Sequence, residues 1–216
     1  MNPQVLLLAG NEHRFLEPLD MFERYVRKEC KIPKKQVTAA RGAYLENQRV
    51  LDAIWDEAER ARNRKTAFVF VYFGHGYKRG FSPNGGEIDY KDVAQVIIDV
   101  PFLFVNATCY SGKSIRVFDS VGLLRQGSVI ADARHNQETD GGVIFLQDVV
   151  DSWRNEKPFM RRIRREQLVK TSVDFHSEGK HELDDPEITY SKPKPGGIIY
   201  EAVRCGRSLD YLLFPK

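Results

Sequence analysis

The sequence has 216 residues, 42% of them hydrophobic and 29% charged, with a formal net charge of +3 at pH 7. That length allows a sizeable buried core, and so small a charge gives no ground for a nucleic-acid partner. Its apolar runs are of strand length, well short of the roughly 20 residues of a membrane-spanning helix. The three cysteines, Cys30, Cys109 and Cys205, fit a reducing, cytoplasmic setting and not a disulfide framework.

The chain begins with QVLLLAG, Gln4 to Gly10, a buried-strand pattern that lacks the basic flank of a signal peptide. LEPLDMFERYVRKEC follows with a helical stripe of Leu16, Leu19, Phe22, Tyr25 and Val26. KQVTAARG, Lys35 to Gly42, is a weaker strand. ENQRVLDAIWDEAERARNR is a second helix, with Val50, Ile54, Trp55 and Ala58 expected on its inward face and charges opposite. TAFVFVYF, Thr66 to Phe73, reads as a strand, and DYKDVAQVIID as a short helix with Asp89 as N-cap. PFLFVNAT, Pro101 to Thr108, and GSVIADA, Gly127 to Ala133, are further strands. Nearly uninterrupted apolar strands belong to a sheet covered on both faces. Their alternation with helices predicts a mostly parallel, doubly wound α/β sheet.

Beyond about residue 150 the pattern loosens. Arg161, Arg162, Arg164 and Arg165 form a basic cluster, with Phe159, Met160 and Ile163 expected to turn inward. The polar stretch His176 to Gly197 reads as a long surface loop, and GIIYEAV after it as a last strand. One domain is therefore expected over residues 1–216, with its core at about 4–150.

Two strand ends carry reactive side chains. FVFVYF runs into Gly74, His75 and Gly76; FLFVNAT runs into Cys109, Tyr110, Ser111 and Gly112. Parallel α/β sheets gather their chemistry beyond the carboxyl ends of strands, and these two ends are one strand–helix–strand crossover apart. A thiol is weakly ionised at neutral pH, and a neighbouring imidazole activates it and later protonates a leaving amine. Gly76 and Gly112 would let backbone approach a substrate carbonyl. The amides of Gly76 and Cys109 could then form an oxyanion hole. No CxxC pair or zinc-type His/Cys spacing occurs, so no metal is expected, and the chemistry needs no cofactor.

FVFVYFGHG followed by LFVNATCYSG resembles the paired motifs of the caspase-like cysteine peptidases, the superfamily of caspases, metacaspases and legumains. VLLLAGN resembles the first strand of that group, and KIPKKQVTAARGAYLENQRVLDAIWDEA its second strand and following helix. The resemblance spans residues 4 to 150 and implies a caspase-like three-layer α/β sandwich, a mostly parallel sheet with helices on both faces. It implies His75 as general base, Cys109 as nucleophile and Gly76 as an oxyanion-hole amide, acting on a protein or peptide substrate. The position two before the nucleophile usually shapes the pocket for the residue preceding the cut, and here it is the uncharged Ala107. Glu12 and Arg14 after the first strand, Asp132 at the end of SVIADA, and His135 beyond it are the candidates for that pocket. Arg14 would favour an acidic residue, Glu12 or Asp132 a basic one.

The competing reading is a non-catalytic signalling module that docks through the basic segment 154–170. Activation through a protein partner, a homodimer or self-cleavage near Lys180, Asp184, Asp185 or Lys192 is compatible with the resemblance. A serine hydrolase is disfavoured because GxSxG is absent and Ser111 has no base of its own in view.

Overall fold

The structure is a computed structural model, and it describes residues 2–41, 46–123 and 126–132 together with Leu146 and Val150. Its main sheet has five parallel strands: β1 (Gln4–Ala9), β2 (Val37–Arg41), β3 (Phe68–Phe73), β7 (Phe102–Ala107) and β8 (Gly127–Ala131). Their spatial order is β2-β1-β3-β7-β8. A second, antiparallel sheet consists of β4 (His75–Tyr77), β5 (Gly80–Ser82) and β6 (Ile88–Asp89). Strands this short carry no period that a sequence window could detect, and this small sheet was not expected.

The two-residue alternation of a strand divides the core into two layers. Val5, Leu7, Ala9, Val69, Val71, Phe73, Leu103, Val105 and Ala107 face one side. There they meet Leu19 and Phe22 of α1 (Leu16–Arg24) and the π-helical turn Tyr25–Glu29 that extends it. Leu6, Leu8, Phe68, Phe70, Tyr72, Phe102 and Phe104 face the other side. That side is covered by α2 (Asn47–Asn63), α3 (Tyr90–Val96) and α4 (Gly112–Ser120). Strands buried on both faces explain the continuous apolar runs, and the expected mostly parallel sheet between helical layers is what the chain forms.

Two details differ from expectation. Trp55 is 51% exposed: residues one apart on a helix point about 100° apart, so Ile54 and Trp55 cannot both face the sheet. The inward stripe is Val50, Ile54, Glu57, Ala58 and Ala61. Glu57 is tolerated there because Gln4, Thr38 and Arg60 donate to its carboxylate. Asp89 stands at the N-cap position of α3 but makes no capping bond. Its carboxylate accepts the Tyr77 hydroxyl at 2.7 Å instead.

Among the described residues no helix is long and apolar enough to cross a membrane.

Candidate active site

The pairing of β3 with β7 carries the site. Their register sets Phe73 beside Ala107, so the segments that leave the two strands, Gly74–His75–Gly76 and Thr108–Cys109–Tyr110, emerge side by side. Gly76 lies against the second of these. A Cβ at Gly76 would collide with the carbonyl oxygen of Cys109 and stand 2.7 Å from the Thr108 Cβ. Only a glycine permits that approach.

His75 is on the α1 side of the sheet. Its ring meets the edge of Phe15, with centroids 5.2 Å apart and planes at 86°. Phe15 is 1% exposed and makes a similar contact with Phe73. The Nε2 atom of His75 pairs with Oε1 of Glu12, while Oε2 of Glu12 pairs with Arg14 Nε at 2.6 Å. The hydrogen bond to His75 is the main cause that holds the Glu12 carboxyl below its ordinary value of 4.5. Slight burial opposes it, and the charges of His75 and Arg14 add to it. The Tyr72 hydroxyl donates to the His75 carbonyl at 3.3 Å.

Cys109 is half-buried, and neither it nor Cys30 is in a disulfide. Tyr110, the next residue, has φ of +57°, a left-handed conformation unusual for a non-glycine side chain. The turn is held from beneath by a buried polar group centred on Asn106. Its Nδ2 donates to the Tyr90 hydroxyl at 3.0 Å and lies 3.2 Å from Ser114 Oγ and 3.4 Å from the Ser111 carbonyl. The Thr108 hydroxyl lies 3.0 Å from Asn106 Oδ1 and 3.1 Å from the Cys109 carbonyl, to either of which it can donate. Burial pushes the Tyr90 hydroxyl up to about 12, against the hydrogen bonds of Thr108 and Asn106, with Cys109 adding to the rise. The one asparagine in the run FLFVNAT was the sequence signal for this group, because a polar side chain in a central strand must find partners.

The other expected site residues are distributed as follows. Ala107 is 1% exposed among the apolar residues of the α1 layer. Asp132 is fully buried just past β8, its backbone N–H on the Asn106 carbonyl at 3.0 Å. Glu12 and Arg14 are brought to His75. His135, the arginine cluster at 161–165 and the polar stretch 176–197 lie outside the described residues. Among the described residues no three His, Cys, Asp or Glu side chains converge as metal ligands would.

The solved structure of caspase-1 from Spodoptera frugiperda is similar to this chain, with a TM-score of 0.55 over 89% of this chain and 86% of that one, at 12% sequence identity. No protein-family model matches the sequence, and no curated protein matches it. The fold is thus that of the caspase-like α/β sandwich. At this identity the likeness concerns architecture, and the chemistry must be argued from the residues.

Proposed function

We propose that the chain is a cysteine endopeptidase with a Cys109–His75 dyad. The observation that carries this reading is the contact of Gly76 with the Cys109 carbonyl, which brings the imidazole-bearing and thiol-bearing turns together at adjacent strand ends. In the reaction, His75 accepts the thiol proton as Cys109 Sγ attacks the scissile carbonyl, and the amides of Gly76 and Cys109 receive the oxyanion. The tetrahedral species collapses to a thioester as His75 delivers the proton to the leaving amine. Water then attacks the thioester, giving its proton to His75; the peptide acid leaves and the thiol is restored. The substrate is a protein or peptide, and sparse cysteine usage suits a cytoplasmic enzyme.

Alkylation tests the dyad. Iodoacetamide should label Cys109 faster than Cys30 and Cys205 in the native protein, and His75→Ala should abolish that advantage. Equal labelling of all three cysteines would overturn the catalytic reading and favour a binding module with this fold.

A further inference from the structure

We propose that Glu12 is a positioning residue for His75: its carboxylate grips Nε2, leaving Nδ1 as the ring nitrogen that exchanges the proton with the thiol. This deepens the dyad and rests on it. A carboxylate only accepts, so the imidazole nitrogen facing it carries the hydrogen, and in the neutral ring the opposite nitrogen is then the acceptor. The same short segment holds the imidazole in two further ways. Glu12 precedes the single 3₁₀ turn His13–Phe15, whose last N–H bonds the Glu12 carbonyl at 3.0 Å. That turn swings the buried Phe15 ring against His75. Arg14 in turn pairs with the other Glu12 oxygen and lays its guanidinium 4.9 Å from the Phe15 ring centre.

Glu12 and His75 have side chains 42% and 47% exposed. A pair so wet contributes little to stability, so its consequence is the orientation of the ring. Both Glu12 oxygens are engaged, which takes Glu12 out of the substrate pocket and removes it as the partner of a basic substrate residue. The charged and titratable groups around the imidazole are Glu12 and Arg14 from the segment after β1, Cys109 from the turn after β7, and the Tyr72 hydroxyl on the His75 carbonyl.

Two measurements test the assignment. Iodoacetamide labelling of Cys109 should be slowed about tenfold in Glu12→Gln, the low end of what a carboxylate partner of a histidine contributes, with an unchanged melting temperature. Glu12→Asp should retain most of the rate. Labelling of Glu12→Gln at the wild-type rate would overturn the proposal. Independently, the Glu12 side-chain carbon followed by NMR should titrate below the ordinary glutamate range in the wild type and move up in His75→Ala. An identical midpoint in both proteins would show that the two side chains do not pair. The NMR reading requires no peptide to be cut, so an inactive protein with an intact pair would sink the peptidase and not the pairing.

Discussion

Gly76 and the carbonyl oxygen of Cys109 are packed so closely that no side chain fits between them, although 33 positions separate the residues in the chain. The two turns of the candidate site are therefore one packed unit. Gly76→Ala must push the Cys109 turn away and should cost about 1–3 kcal/mol, the usual penalty of overpacking. Chemical denaturation reads that cost, and labelling of Cys109 should fall with it. An alanine variant of native stability and labelling would show that the contact is not tight.

The Asn106 group supports the turn from below. Asn106→Leu strands the Tyr90 and Thr108 hydroxyls and should destabilise the fold by about 2–4 kcal/mol. Tyr90→Phe removes one member and should cost about 1–2 kcal/mol. Because the two share a bond, their double variant should cost less than the sum, and a denaturation cycle would measure the difference.

Tyr110 bears the strain of the turn. Its φ of +57° is open to glycine without steric cost, so Tyr110→Gly should leave stability unchanged or raise it by up to about 1 kcal/mol. Substitution by the β-branched valine should lower it instead. Thermal melting of the two variants gives the comparison.

Alkaline pH should unfold the protein early. The Tyr90 hydroxyl is raised from 10.0 to about 12 in the folded chain. A raised tyrosine stabilises the fold below its unfolded value, and this contribution is lost as pH climbs through the folded one. Between pH 10 and about 12 this residue should therefore remove roughly 2–3 kcal/mol. Tyr72 shifts in the same direction by burial, and Tyr77 by burial and the neighbouring Asp89. Tyr90→Phe should flatten the decline without abolishing it, as stability followed across that range would show.

Much of the architecture was legible because β1, β3 and β7 are buried on both faces, so their sequences are apolar without interruption. The two reactive strand ends were visible for the same reason: His75 and Cys109 each break such a run beside a glycine or a small polar residue. The partner of His75 was not visible. Glu12 is an ordinary glutamate in a polar turn, and only the pairing of β1 with β3 brings it to the imidazole. The small sheet β4–β6 escaped because its strands are two or three residues long. Trp55 misled because its hydrophobicity outweighed its angle on the helix. Asp89 sits where a cap belongs, but Tyr77 takes its carboxylate, a contact no local pattern encodes.

The central claim is peptide hydrolysis through Cys109, and cleavage of a positional peptide library by the wild type beside Cys109→Ala tests it most directly. The account predicts cleavage by the wild type and none by the variant. With Glu12 held by His75, a basic preference before the cut would have to come from elsewhere, and an acidic one would implicate Arg14. Cleavage that persists in Cys109→Ala, or a wild type that cuts nothing, would contradict the account.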